Sequence, residues 1–294
     1  MPVREGTVEY LGYRTWYRIV GDCQGEKKPL LLLHGGPGST HNYFEVLDPL
    51  AEEDGRALIM YDQLGCGKSP APGRTDLMNL QVWVGELENL RACLGLEECH
   101  ILGHSWGGML LLEYVCGQPR SGVSSLILAS TLPSSSLYGS EQRRMLRELP
   151  QDMQDAIAEA ERTGDYDTEA YQRANAEFMS RHCGPTITED SPDCLRRHKH
   201  AGRDAYLTAW GPNEYTPVGN LKDFDRTGDL GKIRIPTLIT SGAEDMCTPL
   251  IAETMHSGIP GSERVLFEHS RHYSFIEENR RYLDVLKVWL NRHD

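Results

Sequence analysis

Residues 103–107 read Gly-His-Ser-Trp-Gly, between the short apolar stretch His100-Ile101-Leu102 and a second apolar stretch from Met109 to Val115. Passing from a strand into a helix within so few residues crowds the backbone around the central residue. Glycines at 103 and 107 remove the Cβ atoms that would collide, and Ser105 is left exposed above the sheet. The helix that follows begins with unpaired N–H groups, which favour negative charge developing beside the serine. A serine that only caps a helix after a glycine-rich turn would carry the same letters, so the weight of the motif comes from its surroundings.

Three further segments supply those surroundings. The apolar run 30–33 leads into His34-Gly35-Gly36-Pro37-Gly38, a turn that exposes backbone N–H groups. The N–H of Gly36 and that of Trp106 are expected to form an oxyanion hole, in which losing one donor costs about 10²–10³ in rate. A late strand at 237–241 is followed by Gly242 and Asp245, the position for a carboxylate that orients a histidine. Glu244 is the immediate rival, and Asp223, Asp225 and Asp229 are weaker because they precede the strand. Two histidines, His269 and His272, come after a predicted strand at 264–267. His272 is preferred because a residue a few positions into the loop can swing over the nucleophile. The chain order Ser105, Asp245, His272 differs from the chymotrypsin and subtilisin orders.

The rest of the chain has the rhythm of an α/β sheet. Strand-like runs at 13–20, 30–33, 57–61 and 126–129 alternate with helical spacing at Leu80, Val84, Leu87, Leu90 and Leu94. Between about Pro133 and Asp229 the sequence turns rich in charge, Gln, Tyr and Ala, with helix-like pieces at 141–149 and 152–162. Strand and helix patterns then resume at 237–241, 264–267 and 282–290. The expected organisation is an α/β core in two parts, 1–132 and 230–294, with a mostly parallel central sheet and an inserted helical cap at 133–229.

Thirty Lys and Arg against 43 Asp and Glu give a net charge of −13, which works against nucleic-acid backbones and anionic membranes. The start, MPVREGTVEYLGYRTWYRIV, has no apolar h-region, and no apolar run reaches membrane-spanning length. A cytoplasmic protein is expected, with its eight cysteines reduced. His182, Cys183, Cys194, His198 and His200 lack the paired short spacings of a zinc site, so no metal is expected there. Cys66 and Cys247, near the expected site, suggest sensitivity to thiol reagents. Oligomeric state is left open.

With these residues in view, the chain resembles the proline iminopeptidase family of α/β-hydrolases, most closely the branch containing the tricorn-interacting aminopeptidase. The resemblance spans nearly the whole chain and rests on HGGPG at 34–38, YDQLGCGKS at 61–69, GHSWGG at 103–108, GPNEY at 211–215, NLKDFD at 220–225 and the Asp-x-x-Thr-Pro of 245–249. It implies the α/β-hydrolase fold and a cofactor-free serine hydrolase that releases an amino-terminal residue, proline or another, from small peptides or amino-acid amides. It further implies that Glu214 of GPNEY binds the substrate's free amino group, and it supports His272 as the base. In the nearest relatives a second amine-binding glutamate follows the triad aspartate, whereas here Met246 stands there. Losing one carboxylate about 4 Å from an ammonium removes roughly 4 kcal/mol of attraction at an effective dielectric near 20. The alternatives are an esterase, lactonase or non-peptide amidase using the same triad, and a catalytically silent binding protein of the same fold.

Overall fold

Short, buried strands rich in apolar residues build the middle of the molecule, for which a computed structural model describes residues 1–117 and 121–294. The strands are β1 (Val3–Tyr10), β2 (Tyr13–Val20), β3 (Leu30–Leu33), β4 (Leu58–Tyr61), β5 (Cys99–His104), β6 (Val123–Ala129), β7 (Thr237–Gly242) and β8 (Glu263–Phe267). They form one sheet in the order β1-β2-β4-β3-β5-β6-β7-β8. Pairing is antiparallel from β1 to β2 and from β2 to β4, and parallel from β4 through to β8. Every residue of β3, β4, β5 and β7 is buried, as a parallel sheet covered on both faces requires.

The alternation of side chains along each strand divides this core in two. Leu31, Leu33, Ile59 and Ile101 join one cluster with α2 (Leu80–Cys93), α3 (Trp106–Gly117) and α9 (Pro249–Gly258). Leu30, Leu32, Leu58 and Leu102 join the other with α1 (Pro49–Asp54), α10 (Ser274–Glu277) and α11 (Asn279–Arg292). From Trp106 to Tyr114, α3 is buried all round, which explains why its sequence is continuously apolar rather than amphipathic.

Between β6 and β7 lie five α-helices, α4 (Ser135–Leu146), α5 (Gln151–Thr163), α6 (Glu169–His182), α7 (Asp193–Arg196) and α8 (Arg203–Ala209), and a 3-10 turn at Thr227–Lys232. The helix expected over 141–149 starts earlier. Ser134 caps it by accepting from the Leu137 N–H, and it stops short of Pro150, which disfavours helical backbone just before it. Of these helices, α4, α5 and α6 share a small core of their own, in which Met145, Ile157, Tyr171 and Phe178, with Tyr215, meet Met246 from the loop after β7, while α7 and α8 pack into the two sheet clusters.

β1, absent from the sequence expectation, has no apolar run and is half exposed. It is held by its hairpin to β2, turning at Leu11 and Gly12, both with positive φ (49° and 80°). Because β3, β5, β6, β7 and β8 run parallel, the loops that follow them open on one edge of the sheet. That edge carries residues 34–38, Ser105, Asp245 and His272, where an open α/β sheet offers a crevice.

Candidate active site

The turn between β5 and α3 holds Ser105 at φ 55°, a left-handed conformation that a non-glycine residue adopts only under tertiary constraint. Its N–H donates to the Ala129 carbonyl on β6 at 2.9 Å, and its carbonyl accepts from Thr131 Oγ1 at 2.6 Å. A Cβ at Gly103 would strike the Gly107 backbone, and one at Gly107 would strike the Leu33 carbonyl. Both glycines are therefore sterically required. Ser105 itself is only partly buried and faces a cavity of about 410 Å³.

His272 also lines that cavity, and its Nδ1 lies 2.7 Å from Asp245 Oδ1. Asp245 is buried, and its carboxylate also accepts from the N–H groups of Cys247 (2.8 Å) and Gly242 (3.4 Å). Such fixing of an acid and a base, with the serine on the same cavity, suits proton transfer to and from a hydroxyl. The rivals stand apart from this arrangement. Glu244, His269, Asp223 and Asp225 are exposed, and Asp229 is paired with Arg226 and Lys232.

His104, the second residue of the pentapeptide, fastens the His272 loop from behind. Its Nε2 lies 3.0 Å from the His272 carbonyl, and its Nδ1 lies 3.1 Å from the Tyr43 hydroxyl. That hydroxyl accepts from the Gly35 N–H at 2.5 Å. A chain of hydrogen bonds thus joins the 34–38 turn to the loop of His272. Burial, with His272 adding to it, pushes the His104 pKa well below that of free imidazole, so His104 is neutral. A neutral ring puts no charge beside the one that His272 acquires on accepting a proton.

Gly36 lies on the cavity wall, at φ 116°, and Trp106 follows Ser105 at the first position of α3, where backbone N–H groups have no partner within the helix. The turn is pinned from below through Gln63. The Gln63 N–H donates to His34 Nε2 (3.0 Å), its side chain donates to the His34 carbonyl (2.9 Å), and its Oε1 accepts from the Trp106 indole (2.7 Å). Burial lowers the His34 pKa to about 4, which keeps that ring an acceptor at neutral pH. The Tyr61–Ser69 stretch, quoted above for resemblance alone, is thereby given a physical task.

Glu214 reaches the cavity from the segment after α8, and its Oε1 accepts from the Tyr206 hydroxyl at 2.9 Å. Burial raises its pKa, while the neighbouring His272 and the Tyr206 hydrogen bond work against that rise. Tyr206, on α8, was not foreseen from the sequence. Met246 lines the same cavity and belongs to the core of the inserted helices. Its Sδ lies 3.5 Å from the Tyr138 hydroxyl, its carbonyl accepts from Gln142 Nε2 at 2.8 Å, and its N–H donates to the His182 carbonyl at 3.1 Å. The position thus anchors α4 and α6 to the loop of Asp245.

The His198 and His200 rings meet at 4.9 Å, but His182, Cys183, Cys194, His198 and His200 form no group spaced to hold a metal among the described residues. Among the described residues the one group spaced to hold a metal is Asp245, Cys247 and His272, which is the acid and base with a neighbouring thiol. Cys66 and Cys247 are buried, and burial drives both thiols well above their usual pKa, which disfavours the reactive thiolate and runs against thiol-reagent sensitivity through these two residues.

Comparison with known proteins agrees with this architecture. The family described as "alpha/beta hydrolase fold" matches residues 28–279. A proline iminopeptidase of Clostridium botulinum is 58% identical over 294 residues, covering 100% of both chains. A crystal structure of VinJ superposes with a TM-score of 0.91 at 32% identity, covering 99% of each chain. A crystal structure of proline iminopeptidase from Mycobacterium smegmatis superposes with a TM-score of 0.87 at 32% identity, covering 99% of this chain and 98% of that one.

Proposed function

The chain belongs to the α/β-hydrolase family and, within it, to the proline iminopeptidases, and from that premise we propose that it releases amino-terminal proline from small peptides through an acyl-enzyme on Ser105. It is a hydrolase of the aminopeptidase type. The observation that carries the mechanism is the placement of Ser105, His272 and Glu214 on one cavity, with Asp245 bonded to His272 behind it.

In this reading Ser105 Oγ attacks the prolyl carbonyl while His272 takes its proton, and Asp245 holds the ring in the required tautomer. The N–H groups of Gly36 and Trp106 stabilise the oxyanion. His272 then protonates the departing peptide amine, and water resolves the prolyl ester. Glu214 receives the prolyl ammonium, and Met246 and Tyr273 offer apolar surface beside it. Residues 133–229 serve as the cap that closes over the sheet edge and carries Glu214. No helix among the described residues is long and apolar enough to cross a membrane, and all eight cysteines are free. The free thiols support a reducing, cytoplasmic setting.

The test compares proline arylamides with free and acetylated amino groups, using wild type and Ser105→Ala. The free-amine substrate should turn over, the acetylated one should not, and Ser105→Ala should lose at least about 10⁴ in kcat. Equal rates on both substrates, or an active Ser105→Ala, contradict the proposal.

A further inference from the structure

The cavity holds a charge that the reaction at Ser105 does not use. Among its lining residues, Tyr206, Tyr273 and Cys183 are kept protonated and His104 deprotonated, all mainly by burial. Besides the base His272, the charged side chains left on the wall are Glu214 and Arg203. Arg203 is exposed, at the mouth, and among the described residues its guanidinium has no ion pair or side-chain hydrogen bond. An arginine that faces a substrate cavity without a partner is available to one, and its planar fork of donors matches a carboxylate.

Its position relative to Glu214 is set by α8. Arg203 is the first residue of that helix, and Tyr206, three residues on, is the hydroxyl that holds Glu214. Residues three apart share a helix face and are separated by about 4.5 Å along the axis. The carboxylate and the guanidinium are therefore displaced along the wall, the first inside and the second at the rim. A dipeptide has the same pattern, an ammonium at one end and a carboxylate roughly 7 Å away at full extension.

We propose that Arg203 is a specificity-determining residue that binds the free carboxylate of di- and tripeptide substrates, so that the cavity reads both ends of a short zwitterionic peptide. This rests on the reading of Glu214 as the ammonium site. With the scissile carbonyl at Ser105, the amine end points to Glu214 and the departing end lies toward the mouth, where Arg203 waits. Longer peptides, amides and arylamides reach the same nucleophile without this contact.

The experiment measures kcat/KM for prolyl-alanine, prolyl-alanine amide and a proline arylamide, using wild type, Arg203→Gln and Arg203→Lys. The expected result is a wild-type preference for the free acid over the amide of about five-fold, expressed in KM and weakened by 0.5 M salt, as an exposed ion pair requires. Arg203→Gln should bring the acid-to-amide ratio close to one, and Arg203→Lys should keep part of the preference. A ratio that Arg203→Gln leaves unchanged, or that shows no preference for the acid in wild type while the arylamide is cleaved, overturns this inference and leaves the prolyl reading standing. Failure of wild type to cleave the arylamide or the amide overturns both.

Discussion

The sheet and the helices inserted between β6 and β7 are built on different terms. The sheet buries two continuous clusters, and its catalytic candidates sit in turns whose glycines tolerate no Cβ. Within the insertion, α7 and α8 pack into the sheet's clusters through Cys194, Leu195, Ala205 and Ala209, whereas α4, α5 and α6 share a single small core. Their surfaces are stitched by exposed pairs such as Arg143–Glu161 (2.7 Å), Arg144–Glu148 (2.8 Å) and Arg181–Glu177 (2.6 Å), each worth about 0–1 kcal/mol. Backbone in the sheet is over-determined, so Ser105, Asp245 and His272 are held where packing leaves no alternative. Glu214, Tyr206 and Arg203 come from the insertion, on α8 and in the segment that follows it. On the proposed reading, chemistry falls to the loops of the sheet and choice of substrate to the insertion.

The sharpest way to break that division is Asp245→Asn. It keeps the side chain's shape but destroys the tautomer control of His272, so kcat should fall by about 10³–10⁴ on every substrate alike. A loss confined to one substrate class would place selectivity in the sheet. The reverse test is Glu214→Gln, which should lower kcat/KM for free-amine substrates by about 10–100-fold, as expected when one member of a desolvated charge pair is removed. Burial raises the pKa of Glu214, so the carboxylate forms at higher pH than in an exposed glutamate. The wild-type activity on free amines should accordingly decline as pH falls through a value above 4.5, the ordinary glutamate value. Glu214→Gln should lose that component of the pH profile, and an unchanged profile would contradict the assignment.

The smallest effect sharpens the comparison from the sheet side. Glu86 lies buried under the core, its oxygens accepting from Thr15 Oγ1 (2.5 Å) and from the Leu64 N–H (2.9 Å). Burial first, and the charge of Asp62 after it, raise its pKa from 4.5 to about 7. The folded state therefore binds the proton more tightly than the unfolded one, and stability falls as pH rises from 4.5 to about 7. Glu86→Gln removes this penalty. Its Tm relative to wild type should be higher at pH 8 than at pH 5, by about 4 °C, with the ratio of rates on free-amine and acetylated substrates unaltered. Thermal unfolding at the two pH values checks it, and a difference of opposite sign contradicts it.

The same division governs what could be read from the sequence. β3, β4, β5 and β7 are legible because parallel strands buried on both faces carry short apolar runs rather than an alternating pattern, and the turn at 103–107 because its glycines answer a steric demand. β1 was not legible: pairing with β2, rather than an apolar run, holds it in place. Ser105, Asp245 and His272 could be proposed from order and position, because each follows a strand on the same edge. Tyr206 and Arg203 could not, since α8 is a seven-residue helix whose orientation depends on how the insertion folds back over the sheet. The link from Gly35 through Tyr43 and His104 to the His272 loop joins distant parts of the chain, and no local pattern announces it. Met246 was noticed as a departure from the family pattern, but its three contacts to α4 and α6 follow only from the assembled structure.

The central claim is that Ser105 is the nucleophile, and covalent trapping tests it most directly. Folded wild-type protein is treated with a fluorophosphonate, the adduct is located by peptide mass spectrometry, and the remaining prolyl-arylamide activity is followed in parallel. The account predicts one adduct per chain, on Ser105, with activity lost in proportion to labelling and no adduct in Ser105→Ala. Full activity after exposure to the reagent, or inactivation that follows modification of another residue, would contradict it.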